Sequence, residues 1–225
     1  MRTEIVVMDM AGTTVADDGL VIAAFTAAVG SLGVGEDDER FPAMMDHVVA
    51  TMGESKITVF RALFPGDEDT AQAANAAFES AYSDLVAAGR SEPLPGAADT
   101  IASLRGSGVK VALTTGFSPA TRDAILAALG WDDLVDLALS PADVGRGRPY
   151  PDLNLTALLR LGGTDVRAMA TVGDTAFDVL AGLAAGAGVV TGVLSGAHDR
   201  PTLAAAGAHH VIDTVADLPE ILRLD

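Results

Sequence analysis

Cysteine is absent from the 225 residues, so neither a disulfide framework nor a thiolate metal site can form. Positive charge is scarce: 14 lysines and arginines stand against 31 acidic residues, giving a net charge of −17. Nucleic acids and anionic membranes are bound through basic patches, so neither is an expected partner. No apolar run approaches the ~20 residues of a membrane span. The first residues lead straight into a strand pattern, without a basic and apolar leader. These absences give the expectation of a cytoplasmic protein. Lysine is almost missing, with Lys56 and Lys110 beside twelve arginines. A GC-rich coding sequence, which favours Ala and Gly, accounts for the trend. The two survivors still matter, because arginine cannot do amine chemistry.

What is present describes a globular chain. At 225 residues and 49% hydrophobic, it can build one substantial domain with an insertion, or two modest domains. Short β-branched apolar runs fall at 4–9, 109–114, 168–173, 188–193 and 209–212, with a fainter one at 135–139. Helical patterns separate most of them, at 97–106, 118–129, 152–161 and 175–186, and another follows at 215–223. Strands alternating with helices predict an α/β fold with a parallel sheet covered on both faces. The stretch from about 16 to 91 breaks that rhythm. It reads as helices near 20–31, 39–50, 54–63 and 67–88, before Pro93-Leu94-Pro95-Gly96 returns the chain to the α/β pattern. The expected organisation is a core of 1–15 and 92–225, with 16–91 inserted as a helical cap over the carboxyl end of the sheet.

The most informative stretch is Asp9-Met10-Ala11-Gly12-Thr13-Thr14, directly after the apolar run Ile5-Val6-Val7-Met8. It puts a carboxylate where a buried strand gives way to a turn, and parallel sheets bind ligands at the carboxyl ends of their strands. Such a carboxylate serves as a metal ligand or as a nucleophile. Enzymes that use it as a phosphoryl acceptor usually carry a second Asp two residues on, to protonate the leaving group. Here that position is Ala11, so any chemistry at Asp9 must release its leaving group by another route.

Three other strand ends carry chemistry. Thr114-Thr115-Gly116 offers hydroxyls and a close backbone approach suited to phosphate oxygens, although such a run alone is more often a strand end and turn. Gly173-Asp174-Thr175-Ala176-Phe177-Asp178 pairs two carboxylates four residues apart. Asp174 could serve as a helix N-cap there, or the pair could hold Mg²⁺ with water and substrate oxygens. Gly145-Arg146-Gly147-Arg148-Pro149-Tyr150-Pro151 presents two cations on a rigid loop, either solvated or neutralising a carboxylate and a phosphoryl oxygen together.

In order and spacing these motifs resemble the haloacid dehalogenase superfamily across essentially the whole chain. The resemblance implies a Rossmann-like core, Asp9 as nucleophile and metal ligand, and Arg148 as the cation beside it. It implies Mg²⁺ as cofactor, held at Asp9, Ala11, Asp174 and Asp178. Gly12, Thr13, Thr114, Thr115 and Gly116 would line the phosphate position. Asp-x-Ala-Gly-Thr-Thr, Gly-Arg-Pro-Tyr-Pro and Gly-Asp-Thr-x-x-Asp look like the phosphonoacetaldehyde hydrolase, or phosphonatase, branch. Met52-Gly53-Glu54-Ser55-Lys56 is similar to the cap motif that carries that branch's Schiff-base lysine. Met52 and Gly53 would then touch substrate and Lys56 would be catalytic.

An iminium on Lys56 would act as an electron sink, so that an enamine leaves phosphorus and no acid is needed at position 11. A place in the first turn of a helix would also disfavour the ammonium, by ~0.3–1 kcal/mol. Lys56 can equally act as a phosphate clamp, with Glu54 pairing to it. The sequence departs from the branch at two points. Val59 stands where a His is expected three residues after the lysine, and Phe117 stands where a Tyr is expected. Both changes remove polar groups from the neighbourhood of the amine.

The leading expectation is therefore an Mg²⁺-dependent hydrolase of a small phosphonate or phosphorylated substrate. One alternative is a phosphomonoesterase that draws its acid from water, Asp17 or Asp18. Another is a non-catalytic binder of a phospho-ligand. His209, His210 and Trp131 read as structural, and His47 could face the cleft. The oligomeric state is open in the sequence, a homodimer included.

Overall fold

The structure, a computed structural model, describes residues 2–223. Six parallel strands form one sheet: β1 (Ile5–Asp9), β2 (Lys110–Thr114), β3 (Leu137–Leu139), β4 (Met169–Gly173), β5 (Val189–Val193) and β6 (His210–Ile212). The spatial order is β3-β2-β1-β4-β5-β6, so the chain builds outward from β1 on one side and from β4 on the other. The order reverses between β1 and β4, where an open parallel sheet forms its ligand crevice. Asp9 ends β1 and Asp174 follows β4, so the topology alone brings the two carboxylates to one crevice.

β1 shows why the sheet is covered on both faces. All five of its residues are buried. Val6 and Met8 join one apolar cluster, whereas Ile5 and Val7 join the other. Successive side chains point to opposite faces, so an unbroken apolar strand needs a layer on each side. The surrounding helices are α5 (Ala97–Gly106), α6 (Pro119–Leu129), α7 (Asp152–Arg160), α8 (Ala176–Ala184), α9 (Arg200–Ala205) and α10 (Leu218–Leu222). Two details differ from the sequence reading. α9 was not expected: its six residues, capped by Asp199, are too few to show a helical period. The expected helix at 215–223 opens as a 3-10 turn, Val215–Asp217, before Pro219 sits in the first turn of α10. No helix among the described residues is long and apolar enough to cross a membrane.

Between β1 and α5 the chain makes α1 (Leu20–Ser31), α2 (Phe41–Ala50), α3 (Lys56–Leu63) and α4 (Glu68–Ala87). It leaves and returns through adjacent crossings. Ala16 N donates to Glu92 O at 2.9 Å, and Leu94 N donates to Thr14 O at 2.9 Å. The helices meet around rings: Phe25 of α1 lies 4.8 Å from Phe60 of α3 and 4.6 Å from Phe78 of α4, centroid to centroid. The apolar cluster on this face of the sheet, with Met8 and Met10, continues without a break into these rings.

Phe60 is fully buried among those rings, and truncating it leaves a void that close-packed neighbours fill only in part. Phe60→Ala is expected to cost about 3–5 kcal/mol of stability. A shift in the urea or thermal midpoint measures it, and a loss below about 1 kcal/mol would contradict this packing.

Candidate active site

Asp9 is held at the carboxyl end of β1 by a turn that closes on itself, with the N–H groups of Thr13, Thr14 and Val15 all donating to Met10 O. Gly12 has φ +86°, and a Cβ there would stand 2.5 Å from Asp174 Oδ2. Glycine is needed for both reasons. Thr14 Oγ1 donates to Asp9 O at 2.9 Å, and Thr13 Oγ1 donates to Asp174 Oδ1 at 3.1 Å. The turn thus ties down the main chain at Asp9 and the carboxylate of Asp174 at once.

Thr175 caps α8, accepting from Asp178 N at 3.2 Å, while Asp178 accepts from Thr175 N at 3.0 Å. Thr175, rather than Asp174, is the N-cap. Relieved of capping, Asp174 accepts from Thr13 and, at 2.7 Å, from Ala197 N. Asp9, Asp174 and Asp178 are all buried, and each offers an oxygen within 4.8 Å of the others.

Arg148 reaches into this cluster. Its Nη2 lies 2.5 Å from Asp9 Oδ1 and its Nη1 lies 2.6 Å from Asp178 Oδ1. Arg146, the other cation of the loop, turns outward to pair with Asp152 at 2.8 Å and to cover the Tyr150 ring. Burial pushes the Asp9 carboxyl well above the ordinary carboxylate value, against the pull of Arg148. Burial and the neighbouring Asp178 push Asp174 up to about 6. Burial works against the Arg148 charge, yet Asp178 and Asp9 hold its proton more firmly than usual.

A cavity of about 400 Å³ opens above these groups. Asp9, Ala11, Gly12, Arg148, Asp174, Thr115 and Gly116 line its floor, and Met52, Gly53 and Lys56 line the side formed by the helical segment. Of the remaining sequence-based candidates, Thr13 and Thr114 are buried beneath the cavity rather than facing it. Thr114 Oγ1 donates to Met8 O at 3.4 Å. Asp178 does not line the cavity either; it pairs with the other guanidinium nitrogen of Arg148.

The helical segment meets the strand-end loops at points without a Cβ. A Cβ on Gly53, at φ +97°, would fall 2.4 Å from Thr175 Oγ1, and one on Gly116 would fall 2.6 Å from Glu54 O. Lys56 N donates to Gly116 O at 3.3 Å across the same junction.

Lys56 opens α3, two residues after the expected helix start at 54 and within its first turn, and is 6% exposed. Its Nζ lies 5.8 Å from the centroids of Phe25 and Phe78 and 5.3 Å from that of Phe117. Among the described residues it forms no ion pair, so Glu54 is not its partner. Burial draws the Lys56 amine down, with Asp17 and Asp9 opposing. His47 does not reach the cavity wall.

Sequence reading missed the loop after β5. Ser195 Oγ donates to Gly12 O at 2.7 Å, Ala197 N holds Asp174, and His198 Nδ1 accepts from Ala176 N at 2.9 Å. The signal available was Ser195-Gly196 at the carboxyl end of an apolar strand, the same position that marked the other loops.

Comparison with known proteins agrees with this geometry. Residues 3–186 match the family model for haloacid dehalogenase-like hydrolases. The chain is 30% identical to the phosphonoacetaldehyde hydrolase of Bordetella pertussis, covering 99% of this chain and 92% of that one. It is 29% identical to the probable phosphatase IndB of Dickeya dadantii, covering 95% and 91%. In fold it is similar to a phosphonoacetaldehyde hydrolase-like protein from Oleispira antarctica, with TM-score 0.85, 24% identity and coverage of 99% and 92%. The parallel sheet, the buried carboxylates at its switch point and these likenesses agree: the chain belongs to the haloacid dehalogenase-like hydrolases.

Proposed function

We propose that this hydrolase cleaves the P–C bond of phosphonoacetaldehyde or a related phosphonoaldehyde, with Asp9 as nucleophile, Lys56 as Schiff-base amine and Mg²⁺ as cofactor. One observation carries the reading: a buried lysine, free of any carboxylate partner among the described residues, shares a cavity with Asp9 while position 11 offers no acid. The phosphonoacetaldehyde hydrolase relative at 30% identity supports it.

The residues fit Mg²⁺. Three buried carboxylates faced by one guanidinium leave excess negative charge in an oxygen-only donor set, which is what this hard cation takes. Asp9 and Asp174 would hold it, with Ala11 able to offer its main-chain carbonyl and Asp178 supporting the site. When bound, Mg²⁺ would neutralise the phosphonate oxygens that approach Asp9.

The chain's own groups do the rest. Arg148 fixes one Asp9 oxygen at 2.5 Å, leaving the second to attack phosphorus. The Lys56 amine condenses with the aldehyde carbon and releases water. As the Asp9–phosphorus bond forms, the P–C electrons flow into the iminium and an enamine departs. Protonation of the enamine carbon and hydrolysis return acetaldehyde and free Lys56, and a second water releases phosphate from Asp9. No proton on a leaving oxygen is required, so Ala11 is consistent with the chemistry.

A phosphomonoesterase is the second reading. Three aromatic rings within 6 Å of Lys56 Nζ favour an ammonium, which suits a phosphate clamp, and the probable phosphatase relative points the same way. The readings part at Lys56→Arg, which keeps the charge but cannot form an imine. The proposal expects phosphonoacetaldehyde turnover to vanish. A clamp expects a modest rise in KM with kcat preserved, and that result on phosphonoacetaldehyde would overturn the Schiff-base role.

Two further outcomes follow from the carboxylates. Asp9→Asn should abolish phosphate release from every substrate while circular dichroism stays unchanged; residual turnover above a few per cent would exclude the aspartyl route. Because Asp174 is pushed up to about 6, protons compete with the cation below that pH. Apparent Mg²⁺ affinity should then weaken about tenfold per pH unit on the acid side. Titration calorimetry at pH 5 and pH 7 checks the sign, and equal affinity at both would refute it.

A further inference from the structure

Forming an imine requires Lys56 to lose a proton and later requires water to leave, so a group beside the amine must carry that proton. α3 supplies none: after Lys56 come Ile57, Thr58, Val59 and Phe60, and Thr58 Oγ1 is engaged with Ser55 Oγ at 2.6 Å. The charged groups that act on Lys56 are Asp17 ahead of α1, Asp9 on β1, Glu79 on α4 and Arg148 before α7. Three of these are committed. Asp9 is pinned to Arg148, and Arg148 is shared between Asp9 and Asp178. Glu79 accepts from Ser118 N at 3.1 Å and Ser118 Oγ at 2.6 Å, and also from Thr121 Oγ1. The Tyr82 hydroxyl is buried without a partner among the described residues, and burial pushes its titration up, so it remains protonated.

Asp17 differs from all of these. It lines the same cavity as Lys56 and takes part in no ion pair among the described residues. Main-chain donors at the start of α1 fix it, Val21 N at 3.1 Å from Oδ1. It is therefore oriented by backbone while its proton-accepting capacity stays free. We propose that Asp17 is the proton carrier for Lys56, an inference that rests on the Schiff-base reading above.

The step balances as follows. Asp17 and Lys56 share the cavity beyond direct ion-pair distance, so Asp17 takes a proton from the Lys56 ammonium through one bridging water, and the freed lone pair bonds to the aldehyde carbon. The added nitrogen passes one proton to the former carbonyl oxygen, giving a carbinolamine. Asp17 returns its proton to that hydroxyl, the C–O bond breaks, water leaves and the iminium remains beside the regenerated carboxylate. Burial raises the Asp17 pKa, with the Val21 N–H and the Lys56 charge opposing, which brings it closer to the working range of a proton carrier.

The test uses the full chain with Mg²⁺, phosphonoacetaldehyde and borohydride, and mass spectrometry to follow trapping at Lys56. Asp17→Asn keeps an acceptor for Val21 N but cannot carry the proton. It should slow trapping and kcat by about a hundredfold or more, with KM little changed, and Asp17→Glu should recover part of the rate. The pH profile separates this from structural damage. Removing the carboxylate that favours the ammonium should move the acid limb of trapping to lower pH while the plateau falls. A loosened, wetter site would move that limb upward, towards an ordinary lysine, and that outcome overturns the inference. Trapping of Asp17→Asn at the wild-type rate overturns it as well, while leaving the Schiff-base reading intact. Absence of any Lys56 adduct in the wild-type protein instead overturns the Schiff-base reading, and the role of Asp17 with it.

Discussion

Arg148 is the side chain around which the catalytic end of the sheet is organised. Its guanidinium fills the space between Asp9 at the end of β1 and Asp178 in the first turn of α8, touching both within 2.6 Å. Removing a guanidinium from water is costly, and its two close contacts offset that cost only in good geometry. Taking away one partner would leave an uncompensated buried charge, which is far worse than exchanging the whole set for apolar residues. The fork therefore ties three separate stretches of chain to one geometry. Asp174 stands close by with no cation of its own among the described residues, so the cluster is satisfied as a structure but remains attractive to a cation from solution.

A second constraint acts from the opposite wall. The rings around Lys56 come from both sides of the cavity: Phe25 and Phe78 from the helical segment, Phe117 from the loop after β2. The low-dielectric setting of the amine exists only while the two sides are together. Three glycines make that approach possible, with Gly53 against Thr175, Gly116 against Glu54 and Gly147 against Ser55. Glu79 of α4 adds a polar tie by accepting from the first turn of α6. The environment that lowers the Lys56 pKa is thus a property of the junction, and neither side has it alone.

Most of this architecture was legible in the residues because its signals are local. β1 was readable as an apolar run ending in Asp9, and its continuous burial follows from its central place in a parallel sheet. The helices at 20–31 and 97–106 were readable from their apolar spacing and match α1 and α5. Lys56 in the first turn of a helix was readable from the helical pattern expected over 54–63, which α3 meets from Lys56 onward. What escaped is set by tertiary approach. Whether Asp174 or Thr175 caps α8 depends on which oxygen the loop after β5 claims, and Ala197 N claims Asp174. Arg148 beside Asp9 followed from the family resemblance, but the outward turn of Arg146, which pairs with Asp152 and covers Tyr150, did not. Thr13 and Thr114 were apt residues by type, but the turn closed on Met10 O buries the first and the β2 pleat buries the second, beneath the cavity.

Under the proposed Schiff-base chemistry, Ala11, Lys56 and the apolar wall answer one requirement. An acid at position 11 would add a carboxylate beside the buried cluster of Asp9, Asp174 and Asp178, which faces a single guanidinium. It would raise their pKa values further and draw the Lys56 proton back onto the amine. Burial that disfavours the ammonium works best when few anions surround it, and here Asp17 and Asp9 are the two carboxylates that oppose it most. Asp9 is largely neutralised by Arg148, which leaves Asp17 as the remaining lever on the lysine. Under the proposed function, a site arranged this way would keep its negative charge on the floor, for a cation and a phosphonate. It would keep the opposite wall poor in charge, for an amine that must give up its proton.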